Sequence, residues 1–288
     1  MKNSEYSKEI DIVLNELDNF PLECKSNFCN NLETLEIVYD PSFRTLGNYN
    51  PSLNLITFRD RGALVHELFH MAFCNSASYG KKVYGDFSLQ NGISLQSGDY
   101  IFGYGLTEGF AEYLSRKCGF SLGRDFEYYF ADLFISIYGE DILKYPLMND
   151  PIGFLSDDRF KDIKRVISRL DELEDLFVTF KFIIRSASDF KDSLDKEDDD
   201  VISNFSSLVN SARCEISDVI RSLFSVFIDE YKSFKSPCIS CDDFSSKIEA
   251  FCSDENYDIV FGMSLNDNLK EDILDFKKEL NFENVKGK

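Results

Sequence analysis

The chain has 288 residues, 43% of them hydrophobic, enough for a substantial core as one large domain or two smaller ones. It carries 31 Lys and Arg against 51 Asp and Glu, a formal charge of −20. That balance speaks against nucleic acid and anionic membranes as partners, because both select basic surfaces. It favours solubility and a cationic substrate.

The N-terminus is polar and lacks the continuous apolar core of a signal peptide. No stretch reaches the apolar length of a membrane span; the run around residues 176–184 is broken by Lys181. A cytoplasmic location is the default expectation, and the eight cysteines then read as free thiols. Residues 4–18 place Ile10, Val13, Leu14 and Leu17 at helical spacing. Pro21 and the Asn, Cys and Ser-rich stretch to Asn31 read as loop. Residues 35–39 read as a strand, broken by Asp40-Pro41. Gly47-Asn48-Tyr49-Asn50-Pro51 is turn chemistry. Residues 53–58 read as a second strand. Standing just before a helix, it is a candidate for the sheet edge that pairs an extended substrate, with ordinary sheet core as the plain alternative.

The only two histidines of the chain come next, as His66-Glu67-Leu68-Phe69-His70. This is HExxH, the zinc-metallopeptidase signature. In a helix, positions i and i+4 share one face, so both imidazoles reach one ion at about 2.0–2.1 Å. Glu67 lies about 100° round the same helix, placed to hold a water as general base. Apolar residues flank the motif on nearly every side, which predicts a buried helix. Two imidazoles and a carboxylate buried together need partners or a metal.

From Val83 to Tyr104, short apolar pieces alternate with glycines and read as a β-hairpin or long loop that contacts substrate. Gly103 and Gly105 are candidates for a close backbone approach to the metal. A second helix follows in Gly105-Leu106-Thr107-Glu108-Gly109-Phe110-Ala111-Glu112, with Thr107 a candidate cap. A catalytic zinc takes three protein ligands. With no third histidine, the third ligand must be Asp, Glu or Cys, and Glu108 is the best candidate. Glu112, one turn on, would accept the other ring N–H of a ligating histidine and fix its tautomer. Donors for a developing oxyanion are sought among Tyr104, Tyr100, Tyr128, Tyr129 and Arg116, with Tyr104 preferred.

Residues 124–144 predict a helix with an aromatic stripe facing a core. From about residue 158 the pattern is wholly helical. A long amphipathic helix carries Ile163, Val166, Ile167, Leu170, Leu173, Phe177, Phe180 and Ile184. The acidic run at residues 195–200 reads as a solvated turn, residues 201–234 as a second long helix, and two shorter helices follow. Cys238 and Cys241 form a CxxC without the second close pair of a structural zinc site.

HExxH followed by Thr107-Glu108-Gly109-Phe110-Ala111-Glu112-Tyr113 resembles the gluzincin class of zinc metallopeptidases, over roughly residues 35–145. The resemblance implies one Zn2+ held by His66, His70 and Glu108, with Glu67 as the base. It also implies a peptide or protein substrate. In several compact members a tyrosine upstream of the third ligand stabilises the oxyanion, the neighbourhood of Tyr100 and Tyr104 here. The expected fold is α+β. A zincin-like catalytic domain spans 1–155, with a small sheet and the HExxH helix. A helical region spans 156–288 and closes or supports the cleft. The rival reading is a catalytically silent zinc-binding regulatory or interaction protein on the same scaffold. A purely structural zinc would leave Glu67 without a use.

Overall fold

In a computed structural model, residues 4–74, 83–84, 87–89, 91–191 and 199–253 are described, with isolated positions between 269 and 278. The fold is dominated by helices, with two small sheets among the described residues. The chain divides into two compact units, Met1–Phe160 and Lys161–Lys288.

The first unit opens with helix α1 (Ser7–Leu17), which buries Val13 and Leu17. Helix α2 (Leu22–Thr34) follows, where loop was expected. The polar composition concealed a helical spacing of Cys24, Phe28 and Asn31, all buried. Pro21 stands at the N-cap, outside the hydrogen-bonded turns, so its missing N–H breaks no helical bond.

Strands β1 (Glu36–Tyr39), β2 (Gly47–Asn50) and β3 (Leu55–Phe58) form a sheet in the order β1-β3-β2. β1 runs parallel to β3, and β2 antiparallel to it with Gly47 opposite Phe58. Two expectations are corrected here. The turn-like Gly47-Asn48-Tyr49-Asn50 is a strand, because pairing with β3 overrides its composition. And β3, the strand before the next helix, is central and paired on both sides. It therefore cannot be the substrate-pairing edge; the edges of this sheet, among the described strands, are β1 and β2.

Helix α3 (Arg61–Ala72) packs on α1, α2, β2 and β3. Asp60 caps it, accepting from the Gly62 N–H at 2.7 Å. At its other end the Asn31 amide donates to the Met71 and Cys74 carbonyls at 3.1 and 2.6 Å, which is why a polar residue of α2 is buried. Four short strands come next: β4 (Val83–Tyr84), β5 (Phe87–Leu89), β6 (Leu95–Ser97) and β7 (Tyr100–Phe102). They form an antiparallel meander in chain order.

Helix α4 (Tyr104–Lys117) starts directly after β7, through Gly103 at φ 88°. That left-handed conformation suits glycine. Thr107 is not the cap: it lies inside the first turn, buried, its hydroxyl 2.9 Å from Ser94 Oγ. Helix α5 (Asp125–Tyr138) packs tightly along α4. The contact is possible because residue 109 has no side chain. A Cβ there would lie 2.4 Å from the Glu127 carbonyl oxygen and 2.8 Å from Ala131 Cβ. Gly109→Ala should therefore force the two helices apart and cost about 1–3 kcal/mol of stability, read by urea unfolding. An unchanged midpoint would contradict this packing.

α5 buries Phe126, Phe130, Leu133, Phe134 and Ile137, so its stripe is core. A 3-10 turn (Glu140–Leu143) and two short helices, α6 (Lys144–Leu147) and α7 (Pro151–Leu155), complete the unit. Phe134 packs against Phe154 and Phe160, at ring-centroid distances of 5.9 and 5.2 Å.

The second unit pairs two long helices, α8 (Ile163–Lys191) and α9 (Asp199–Ser233), followed by α10 (Cys241–Ser253). Val166, Ile167, Leu170, Leu173, Phe177 and Phe180 of α8 are buried, as the 3–4 spacing requires. Buried Glu230 of α9 accepts the N–H groups of Lys161, at 3.0 Å, and Asp162, so its charge sits at the N-terminus of α8. Most of the acidic run lies outside the described residues; beyond α10, Leu269, Glu271–Ile273, Asp275 and Lys278 are helical. Among those described, no helix is long and apolar enough to cross a membrane.

Candidate metal centre

The face of α3 that carries His66 and His70 is met by Glu108 from α4. The two Nε2 atoms are 3.0 Å apart. Glu108 places Oε2 3.4 Å from His66 Nε2 and Oε1 3.4 Å from His70 Nε2. A tetrahedral site with bonds of about 2.0–2.1 Å has edges of about 3.3 Å, so these three donors fit one zinc-sized ion. They are also buried, His66 at 0% exposure and His70 and Glu108 at 7% each. Two imidazole nitrogens and a carboxylate converging away from water require a positive charge between them, a proton or a metal. Among the described residues, these three form the one His/Cys/Asp/Glu group able to hold a metal. All eight cysteines are free, with Cys238 exposed and Cys241 at the start of α10.

Glu112 lies behind the donors. Its Oε2 is 3.1 Å from His66 Nδ1, and the Leu122 N–H donates to the same oxygen at 3.1 Å. Its Oε1 accepts from Arg116 Nε and Ser121 Oγ, both at 2.8 Å. Burial alone would raise its carboxyl, but the bonds from His66, Arg116 and Ser121 hold it down to about 2. An ionised acceptor on Nδ1 keeps that proton in place and leaves Nε2 as the ring nitrogen facing Glu108. Glu112 is thus fully engaged behind the histidine, while Glu108 faces both rings. Glu112→Gln should keep zinc but weaken its affinity by roughly 10–100-fold, measured against a chromophoric chelator. Complete loss of metal would make Glu112 the ligand instead.

The electrostatics of the front face follow from burial and pairing. Burial pushes His66 down, yet its bonds to Glu108 and Glu112 outweigh this and carry it to about 9. Glu108 sits well below the usual carboxylate range despite burial, because His70, Arg124 and His66 favour its charge. Glu67, on the same helix and 5% exposed, behaves oppositely. Burial raises its pKa, against the pull of His70 and His66. A carboxyl lifted in this way is a better proton acceptor than an ordinary surface glutamate.

The predicted oxyanion donors are scattered. Tyr100 is exposed on β7. Arg116 is committed to Glu112 and Asp125 and stacks 4.2 Å above the Tyr128 ring. Tyr129 packs edge-on against Phe130. Tyr104 is the one brought near the cluster, through a residue the sequence reading missed. Arg124, at the N-cap of α5, has Nη2 3.5 Å from both Glu108 Oε2 and the Tyr104 hydroxyl. Its Nη1 donates to buried Glu127 at 2.9 Å. Its side chain remains 30% exposed, so a cation beside the third donor also meets solvent. No local motif marks Arg124; the close packing at Gly109 is what brings α5 over α4. A Cβ on Gly103 would lie 3.0 Å from the Ile93 carbonyl oxygen, and the Gly103 carbonyl accepts from Ser94 Oγ at 3.2 Å.

Compared with protein-family models, curated proteins and solved structures, the chain finds no match. Its chemistry is therefore read from this cluster alone.

Proposed function

We propose that the chain is a zinc-dependent peptidase of gluzincin type, in which His66, His70 and Glu108 hold one ion and Glu67 is the general base. The observation that carries this reading is the donor geometry. Three buried donors fit one ion, and a fourth carboxylate stands beside them on the same helix without being needed to complete the set. Three protein donors leave a coordination position open, as a catalytic zinc requires; a structural zinc takes four.

When bound, zinc would polarise the scissile carbonyl and lower the pKa of the attacking water. Glu67 takes the proton from that water and passes it to the leaving amine as the C–N bond breaks. In this reading the Tyr104 hydroxyl and the Arg124 guanidinium supply the donors for the developing oxyanion. Glu112 holds His66 in the tautomer that binds metal. Arg124 also favours the ionised form of Glu108, the form that ligates.

The test is an unbiased peptide library incubated with zinc-loaded protein, its products sequenced by mass spectrometry. Cleavage should stop on chelation and return with zinc. A protein that binds one ion yet cleaves nothing would be the silent metal-binding scaffold.

A further inference from the structure

β2 is the outer strand beside α3. The Arg59 N–H donates to the Leu46 carbonyl at 2.9 Å. By the alternation of an antiparallel ladder, Asn48 and Asn50 also face β3, while Gly47 and Tyr49 turn their backbone groups outward. The outward Gly47 carbonyl accepts from Thr45 Oγ1 at 2.9 Å. The Tyr49 backbone N–H favours the ionised form of the Glu67 carboxyl. The strand edge thus meets the base of the HExxH helix directly.

Residue 47 has no side chain at the point of closest approach. A Cβ there would lie 2.9 Å from both Cγ and Oε1 of Glu67, and 3.0 Å from Ala63 Cβ. The φ of Gly47 lies outside the left-handed region, so its backbone would accept any residue. Space, and not conformation, is what demands glycine. Among the atoms in the way, Ala63 Cβ is fixed on the helix, whereas the Glu67 side chain can rotate. An added methyl would therefore chiefly move the carboxylate, while the Ala63 contact asks only a few tenths of an ångström of the strand or the helix.

We propose that Gly47 is a positioning residue for Glu67, the gap at residue 47 fixing where the carboxylate sits. The proposal rests on the reading of Glu67 as general base, and its tests separate the two claims. Gly47→Ala should keep one zinc and lower kcat about 100-fold with KM little changed, the usual effect of misplacing a reacting group by about 1 Å. In a Glu67→Gln background the same substitution should cost nothing further, since the group it displaces no longer works. Multiplicative losses would overturn the proposal, because they would mean Gly47 acts through something else.

Two readouts need no activity. A crystal structure of Gly47→Ala should find Glu67 Cγ and Oε1 moved away from residue 47; a carboxylate still in place overturns the proposal. Any fall in melting temperature caused by Gly47→Ala should be largely restored in the Gly47→Ala/Glu67→Ala double variant, where Cγ and Oε1 are gone. An undiminished fall would place the strain elsewhere and overturn it as well. If wild type cleaves no peptide while these readouts hold, the positioning stands and the peptidase reading falls.

Discussion

Glu67→Gln is expected to fold, keep its zinc and lose peptide hydrolysis by roughly 10²–10⁴-fold, the loss typical of a missing general base. Glutamine matches glutamate in size and hydrogen-bonding reach, but it cannot take a proton. Stability should hold or rise slightly. Burial raises the Glu67 carboxyl, so folding disfavours its charged form, and a neutral amide removes that cost at neutral pH. The measurement is kcat on one peptide at matched zinc occupancy, with metal content determined on the same sample. Equal turnover by wild type and variant would refute the assigned mechanism.

Glu108→Ala is expected to weaken zinc binding well beyond the roughly 10–100-fold of a lost outer partner, because it removes a donor and not its support. His70→Ala should do the same. The apo protein should suffer as well. Glu108 is the carboxylate that both imidazole Nε2 atoms face, at 3.4 Å each. Its removal takes one counter-charge from buried His66, which keeps Glu112, and from Arg124, which keeps Glu127, so the loss should stay below the roughly 3–5 kcal/mol of a buried charge left unpaired. Metal analysis after dialysis and urea unfolding with and without chelator would read both effects. Wild type should hold one ion. A second tightly held ion would point to Cys238 and Cys241, and an unchanged zinc affinity in Glu108→Ala would remove Glu108 from the donor set.

The candidate site was legible wherever its logic is helical. His66, Glu67 and His70 lie within one turn of α3, and Glu108 and Glu112 within one turn of α4. Which residues share a helical face depends only on a period of about 3.6. The same period exposed the stripes of α5 and α8. What escaped notice depends on partners far away in the chain. Asn31 looked like loop because its acceptors, the carbonyls closing α3, lie 40 and 43 residues on. Arg124 looked like any surface cation because its place beside Glu108 needs α5 to close on Gly109. Gly47 looked like a turn because nothing near it in the sequence announces Glu67.

By itself, the sequence determined which side chains could act together along one helix: the two imidazoles, Glu67 between them, and the glutamate pair of α4. Only the tertiary structure decided how those sets meet. It chose Glu108 to face both histidines and Glu112 to stand behind His66. It made β3 central, so that β2 became the edge beside Glu67. The physical reason is range. Helical spacing is set by local backbone geometry that every residue carries with it. Strand order, inter-helix distance and the pairing of buried charges are set by contacts between segments remote in sequence, and these exist only once the chain has closed upon itself.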